Sequence, residues 1–261
     1  MSQSRREALR RQQEAQARAK RLQRIIIVGA IVLAVVVVGV FGAIFVSQLN
    51  KGGTTAGGGS GATSAVPVNA TADHSGIVVN PGKFKDGVPK VEIFLDYQCP
   101  VCKQFESMFG STLDDMASKG EIQLIYRTMT FLDNNLKNDS SLKAGIAAAC
   151  ADNAGSYSAY HNAIFAGQPT TEGQGYTTQQ LRVDFPATAG ITGDKLSGFQ
   201  SCYDTRATSS FVEGTNEMAA EDSVNSTPTI MVNGTKLDNN TVFQSSTDAF
   251  RQTVLTTKGN G

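Results

Sequence analysis

The fold of this chain is decided by residues 90–106, which read KVEIFLDYQCPVCKQFE. The first eight residues, Lys90 to Tyr97, place apolar side chains on both faces of an extended chain. This pattern is typical of a central strand that is covered by helices. Pro100 then opens a predicted helix, because proline suits the first helical turn. Two cysteines, Cys99 and Cys102, therefore lie where a buried strand passes into a helix.

The sequence on either side extends this unit into an α/β pattern. β-branched runs and turn residues predict one strand before the quoted stretch and several elements after it. The later elements are the helix from Pro100 to about Ser118, a strand at Glu121–Phe131, helices between Ser140 and about Thr205 with breaks at Gly155, Gly167–Gly175 and Gly190, a helix at Thr208–Ser223, a hairpin of Thr229–Val232 and Lys236–Leu237 turned at Asn233-Gly234, and a helix near Thr247–Thr256. The helical block, at about 138–205, is predicted to be an insertion into the α/β pattern.

The N-terminal part of the chain has the pattern of a membrane anchor. Residues 1–24 are basic, with arginine or lysine at Arg5, Arg6, Arg10, Arg11, Arg18, Lys20, Arg21 and Arg24. Residues 25–46 carry no charge, and at about 1.5 Å per helical residue they match the thickness of a bilayer core. We predict one transmembrane helix at 25–46, with the basic segment in the cytoplasm and the C-terminal domain outside it.

A cleaved signal peptide is the alternative to this anchor. The apolar run is longer than the roughly 7–15 residues of a signal-peptide core. The small-residue pattern Ala70-Thr71-Ala72, which would suit a signal peptidase, lies far downstream. We therefore expect an uncleaved signal anchor.

The remaining chain divides into a tether and a folded domain. Residues 47–71 are rich in Gly, Ser and Thr and lack aromatic side chains, a composition that cannot offset the entropy of ordering. We predict a flexible tether there and a domain at 72–261. The 23 basic and 23 acidic residues of the chain balance, which gives no support to nucleic-acid binding.

The Cys99-Pro100-Val101-Cys102 motif is suited to disulfide exchange. Cys99 occupies the N-cap region of the predicted helix, where free backbone amides and the helix dipole favour a thiolate. We therefore expect its thiol pKa to be lowered. Cys102 lies most of a turn deeper and is the expected resolving thiol. Both cysteines are candidate catalytic residues.

A structural disulfide and a zinc site are two alternative roles for this motif. A structural bridge between residues three apart would close too short a loop to stabilise the fold much. A zinc site would need a second closely spaced ligand pair, which Cys150, Cys202 and the two distant histidines do not provide. We expect no metal and no other cofactor.

The other two cysteines of the chain are Cys150 and Cys202. Pairing within the C-x-x-C motif leaves these two as partners for each other. Because disulfides persist in oxidising compartments, we predict a structural disulfide between them within the helical insertion. A second redox-active pair is the alternative.

The residues 91–106 resemble the active-site strand and helix of DsbA-like proteins. The resemblance covers roughly residue 91 to the C-terminus. It implies a thioredoxin fold with an inserted helical domain, here preceded by the transmembrane helix. It also implies protein thiol-disulfide oxidoreductase activity at Cys99 and Cys102.

Residues 226–234, which read STPTIMVNG, resemble the cis-proline loop and following hairpin of the same family. This implies that Pro228 is cis and that a backbone edge lies beside the two cysteines, where a substrate strand can dock. An ordinary trans-proline before a strand is the alternative. The Thr227 hydroxyl would then lie near Cys99. Residues 160–169 are similar to a helix end in the inserted domain, which makes a structural role the expectation for His161.

The sequence departs from the family pattern at one position of the motif. Oxidising members often carry a histidine where this chain has Val101, and a valine cannot donate a hydrogen bond to the thiolate. Some members also bury an acid near the resolving cysteine, for which Glu92 and Asp96 are the candidates. Asp96 is nearer and could relay the Cys102 proton, or it could equally be a capping carboxylate at the strand end.

The expected function is disulfide formation outside the cytoplasm. The predicted partners are exported proteins with cysteine thiols and an unidentified redox partner that reoxidises the enzyme, with the membrane engaged through residues 25–46. A membrane-tethered reductase or isomerase would use the same residues in the opposite direction. A non-catalytic thioredoxin-fold binding module is an alternative of another class.

Overall fold

The structure of this protein is a computed structural model that describes residues 65–221 and 223–259. The predicted cytoplasmic segment, the transmembrane helix at 25–46 and the tether up to residue 64 lie outside the described residues. Within the described ranges, no helix is both long enough and apolar enough to cross a bilayer.

Five strands form a single mixed sheet. In chain order they are β1 (Ile77–Val78), β2 (Lys90–Leu95), β3 (Gln123–Thr128), β4 (Thr229–Val232) and β5 (Thr235–Lys236). Their spatial order is β1-β3-β2-β4-β5. β2 is central, parallel to β3 and antiparallel to β4, so that Ile93 pairs with Tyr126 on one side and Ile230 on the other. The predicted α/β pattern with a central buried strand is confirmed.

The helices lie mainly in one block between β3 and β4. They are α1 (Pro100–Phe105), α2 (Ser111–Ser118), α3 (Phe131–Leu136), α4 (Ser140–Asn153), α5 (Tyr157–Ala166), α6 (Phe185–Thr188), α7 (Gly193–Asp204), α8 (Ser209–Glu221), α9 (Asn239–Gln244) and α10 (Thr247–Thr256), with π-helical turns at Glu106–Gly110 and Gln180–Asp184. The first π-helical turn joins α1 to α2 without a break, so the motif helix runs from residue 100 to 118 as predicted.

The motif helix is held by an aromatic cluster. Phe105 and Phe109 are fully buried, and their rings lie 5.9 and 4.4 Å from the ring of Phe250 on α10. Aromatic contacts of this length add to the free energy gained from burying the rings. The helix that carries the C-x-x-C motif is therefore fixed against the core along its apolar face.

The helical insertion packs around α4. Ala144, Ala147, Ala148 and Ala151 are buried there, and small side chains let neighbouring helices approach closely. At Gly145 an added Cβ would lie within 2.9 Å of Val212 and Thr128, so this position requires glycine.

Two strands end earlier than predicted. The central strand ends at Leu95 rather than Tyr97, and the next strand ends at Thr128 rather than Phe131. Phe131 instead opens α3, which is one of two helices that the sequence pattern did not indicate, the other being α9. The backbone amide of Leu132 in α3 donates to Asp96, and this contact across 36 residues is invisible to a local pattern.

The folded domain also begins earlier than predicted. Residues 65–71 belong to the predicted tether, yet Ala65 donates from its backbone amide to the Ala207 carbonyl at 2.8 Å. The backbone and side-chain amides of Asn69 both donate to the buried Asp152 carboxylate on α4, at 2.9 and 2.8 Å. Hydrogen bonds to the insertion order this segment although its composition offers little apolar surface.

Candidate active site

The turn between β2 and α1 places Cys99 at the N-cap of the motif helix. Its backbone amide donates to the Asp96 carbonyl at 3.0 Å, and its carbonyl accepts from the Lys103 amide at 3.2 Å. Pro100 takes the first helical position, where no backbone donor is needed. The structure therefore places Cys99 at the start of a helix, close to the free backbone amides of the first helical turn.

The pKa of the Cys99 thiol is lowered to about 6. The largest cause is a hydrogen bond from the Cys102 side chain, which outweighs the opposing effect of burial. Hydrogen bonds from the backbone at Cys102 and Val101 and from the Thr227 side chain act in the same direction. These donors favour the charged sulfur, as expected at a helix N-terminus.

Cys102 has the opposite environment. Its residue surface is 1% exposed, against 7% for Cys99. Burial raises its pKa well above the ordinary value, and the hydrogen bond with Cys99 adds to this effect. Both cysteines are free thiols in this structure. The pair is therefore asymmetric, with one sulfur that ionises readily and one that keeps its proton.

The loop that contains Pro228 lies against the two cysteines. The Thr227–Pro228 peptide bond is cis, which is the isomer that the family resemblance implies. The Cys99 sulfur donates to the Thr227 main-chain carbonyl at 3.5 Å. Val101 is 44% exposed, so the outer side of the motif presents an apolar residue to the surroundings.

Asp96 is fully buried beside the motif. Its carboxylate accepts from the Ser141 hydroxyl at 2.6 Å and from the backbone amides of Gln98 and Leu132 at 2.9 and 3.1 Å. Burial raises its pKa to about 7. The Leu132 contact caps α3, and the Ser141 contact ties the strand end to α4.

The second acid that the sequence offered, Glu92, has a different setting. It forms ion pairs with Arg127 at 2.7 Å and Lys90 at 2.8 Å. These partners neutralise its charge at the other end of β2. Asp96 is therefore the acid that the fold brings to the motif.

The predicted second pair is present as a disulfide. Cys150 on α4 and Cys202 on α7 are joined, with their Cα atoms 5.8 Å apart and a sequence separation of 52. The bond ties two helices of the insertion together.

His161, which the sequence analysis treats as structural, lies in an aromatic cluster. It is 1% exposed, its Nδ1 lies 3.1 Å from the Tyr97 hydroxyl, and its ring lies 4.2 Å from that of Tyr126. Within the described residues, no group of three or more candidate metal ligands occurs.

Sequence reasoning missed the polar residues that hold the motif turn. The Gln98 side chain donates to Ser141 at 2.8 Å and to Asp133 at 2.9 Å. Gln168 and Tyr176, both from the insertion, donate to main-chain carbonyls of the turn. The only signal for Gln168 was its place in the helix end at 160–169, since no local pattern pairs it with residues about seventy positions away.

Comparisons with known proteins agree with the fold. A protein-family model described as Thioredoxin matches residues 85–250. No curated protein sequence matches the chain.

Three solved structures illustrate the similarity. MdbA, a thiol-disulfide oxidoreductase from Actinomyces oris, is 20% identical with a TM-score of 0.60, over 72% of this chain and 90% of that one. Oxidised BdbD from Bacillus subtilis is 26% identical with a TM-score of 0.53, over 67% and 91%. Reduced DsbA from Mycobacterium tuberculosis is 24% identical with a TM-score of 0.55, over 69% and 90%. The described domain has the thioredoxin-like fold of these proteins.

Proposed function

The chain belongs to the thioredoxin family, and we propose that it is an extracytoplasmic thiol-disulfide oxidoreductase that forms disulfides in exported proteins through Cys99 and Cys102. The enzyme class agrees with the thiol-disulfide oxidoreductases among its structural neighbours. The observation that carries the proposal is the asymmetry of the two thiols, since the pKa of Cys99 is lowered to about 6 while that of buried Cys102 is raised.

The reaction begins with the oxidised Cys99–Cys102 pair. A substrate thiolate attacks the Cys99 sulfur, the Cys99–Cys102 bond breaks, and Cys102 leaves and takes up a proton. A second substrate thiolate then attacks the substrate sulfur of the mixed disulfide, and Cys99 leaves as a thiolate. The substrate loses two electrons to the enzyme, and an external oxidising partner must remove them before the next cycle.

The low pKa of Cys99 favours this direction. A thiol with a low pKa is a better leaving group, so release of the oxidised substrate is fast. Stabilising the thiolate also stabilises the reduced enzyme, which raises the reduction potential of the pair. The Thr227 side chain lowers the pKa of Cys99 further, which the apolar Val101 side chain cannot do.

The proposed location rests on the sequence. The basic residues 1–24 precede the uncharged run 25–46, and this order favours a cytoplasmic N-terminus and an exported domain. Cys150–Cys202 is a disulfide, as expected of a domain that matures in an oxidising compartment. Protease added to intact spheroplasts should cut the predicted tether and release a soluble domain, and protection of the tether would contradict this topology.

Catalysis is tested with the purified full-length protein and a reduced peptide that carries two cysteines. The oxidised enzyme should convert the peptide to its intramolecular disulfide in a stoichiometric burst without added oxidant. An insulin-reduction assay separates the alternatives, because a reductase should be the more active in that assay. A protein inactive in both assays would be a binding module instead.

A further inference from the structure

The end of α5 projects one buried polar side chain toward the motif. Gly167 closes the helix, and an added Cβ there would lie 2.5 Å from the Phe185 ring, so the loop is packed tightly against α6. Gln168 follows with 6% of its surface exposed, and Pro169 prevents the helix from continuing. This close packing leaves the Gln168 side chain little freedom to take another direction.

The Gln168 amide binds both carbonyls of the motif turn. Its Nε2 donates to the Tyr97 carbonyl at 2.7 Å and to the Cys99 carbonyl at 3.1 Å. The Tyr176 hydroxyl donates to the same Tyr97 carbonyl at 2.6 Å. On its other side, the Gln168 main-chain carbonyl accepts from the Lys103 ammonium at 2.9 Å. The insertion and the motif helix are thus joined in both directions at one residue.

These contacts act on the backbone that presents the sulfur. The Cys99 carbonyl also accepts the first backbone hydrogen bond of α1, from Lys103. Fixing this carbonyl and that of Tyr97 fixes two peptide planes of the turn, the one between Tyr97 and Gln98 and the one between Cys99 and Pro100. The orientation of Cys99 at the N-cap follows, and with it the alignment of its sulfur with the backbone donors at Val101 and Cys102.

We propose that Gln168 is a positioning residue for Cys99, holding the motif turn in the geometry in which backbone amides stabilise the Cys99 thiolate. The proposal deepens the proposed function and rests on Cys99 being the reactive thiol. The helical insertion then influences the reactivity of Cys99, because Gln168 belongs to the insertion and Cys99 does not.

Gln168→Met removes the two donors and keeps an unbranched side chain of similar length. Each carbonyl retains one partner, Tyr176 for Tyr97 and the Lys103 amide for Cys99, so the variant should fold. Loss of the alignment should raise the Cys99 pKa by about one unit, a roughly tenfold fall in the ratio of thiolate to thiol. The ultraviolet absorbance of the thiolate in the full-length reduced protein measures this without any substrate.

Tyr160→Phe is the matched control. The Tyr160 hydroxyl is also a buried donor within the insertion, but its hydrogen bond goes to the Leu181 carbonyl, at 2.5 Å, and not to the motif turn. This variant should lose stability and leave the Cys99 pKa unchanged.

Gln168→Asn serves as a second test variant. It keeps a polar amide in the loop but shortens its reach, so it should raise the Cys99 pKa in the same direction as Gln168→Met. A Cys99 pKa equal to that of the wild-type protein in either folded variant, with only the free energy of unfolding reduced, would overturn the proposal. Because the titration needs no substrate, failure of the proposed oxidase function would appear separately, in the peptide assay with wild-type protein.

Discussion

The main-chain carbonyl oxygen of Thr227 lies 3.5 Å from the sulfur of Cys99. The carbonyl accepts a hydrogen bond while Cys99 is a thiol, and it can no longer do so once the proton has left. The Thr227 side chain, by contrast, lowers the pKa of Cys99 and therefore favours the thiolate. One residue of the cis-proline loop thus acts on both protonation states of Cys99.

Thr227→Val should raise the pKa of Cys99, because it removes the hydroxyl and keeps the shape of the side chain. We expect a rise of about half a unit to one unit, the usual worth of one hydrogen bond. Thr229→Val is the control, since that hydroxyl donates to Ser226 at 2.9 Å in the same loop. Equal pKa values of Cys99 in both variants would show that the Thr227 hydroxyl does not reach the sulfur.

The two cysteines of the motif should give different products when replaced. Cys99→Ser removes the readily ionised sulfur and should abolish exchange. Cys102→Ser leaves Cys99 able to attack a disulfide but unable to resolve the product, so mixed disulfides should accumulate when reduced enzyme meets an oxidised peptide. Non-reducing electrophoresis with mass analysis detects them, and equal trapping by both variants would reverse or remove the assigned roles.

Asp96 should make the stability of the domain depend on pH. Its pKa is raised from 3.8 to about 7, so the folded protein holds this proton more tightly than the unfolded chain does. The contribution of Asp96 to the free energy of unfolding is therefore present below about pH 4 and lost as pH rises to about 7, by up to about 4 kcal/mol. Asparagine does not titrate, so Asp96→Asn should reduce the slope with which the free energy of unfolding falls between about pH 4 and pH 7. Urea unfolding at several pH values measures this slope.

A surface acid provides the comparison for Asp96. The pKa of Asp204 is lowered by its hydrogen bonds with Arg182. Asp204 therefore changes stability only at pH values below those at which an ordinary aspartate titrates. Asp204→Asn should leave the slope between pH 4 and pH 7 unchanged. If Asp96→Asn kept the full slope, the buried carboxyl would not be its source.

The same Asp96 variant separates a proton relay from a cap. The sequence alone left both roles open, and the observed contacts of the carboxylate are to Ser141, Gln98 and Leu132. A relay of the Cys102 proton should slow resolution of the mixed disulfide in Asp96→Asn. A purely capping role should lower stability and leave the rate of resolution at pH 7 unchanged.

The Cys150–Cys202 disulfide should contribute strongly to stability. It spans 52 residues of sequence, and closing a loop of that size is worth about 4 kcal/mol in the chain-entropy model. The variant Cys150→Ala with Cys202→Ala should lose about this much free energy of unfolding. A Cys99–Cys102 disulfide closes a far shorter loop, so replacing these two cysteines in oxidised protein should cost less free energy of unfolding. The reverse order would contradict a structural role for Cys150–Cys202.

The parts of the fold that sequence could predict are those set by local patterns. The buried run of β2, Pro100 at the helix start and the Asn233-Gly234 turn each have a short-range cause, and α10 at Thr247–Thr256 has the predicted bounds. The structure departs from the prediction where a residue far away in the sequence determines the local structure. The helix α3 begins at Phe131, where Asp96 accepts the backbone amide of Leu132, and Asn69 is ordered by Asp152.

The residues of the candidate site also divide into those that the sequence could identify and those that it could not. Cys99 and Cys102 could be identified because their spacing and helix position have a direct chemical meaning. Gln168 could not, because an amide side chain has no distinctive pattern and its partners, Tyr97 and Cys99, lie about seventy residues away. Contacts that depend on how an insertion folds back onto a domain require the tertiary structure.

The reduction potential of the Cys99–Cys102 pair tests the central proposal most directly. Purified full-length protein would be equilibrated with glutathione buffers of known potential, and the two redox states separated after the free thiols are blocked. With a Cys99 pKa of about 6, we predict a potential well above that of thioredoxin, which is roughly −270 mV. A potential at or below that value, together with a Cys99 pKa near the free value of about 8.5, would contradict a disulfide-forming function and favour a reductase.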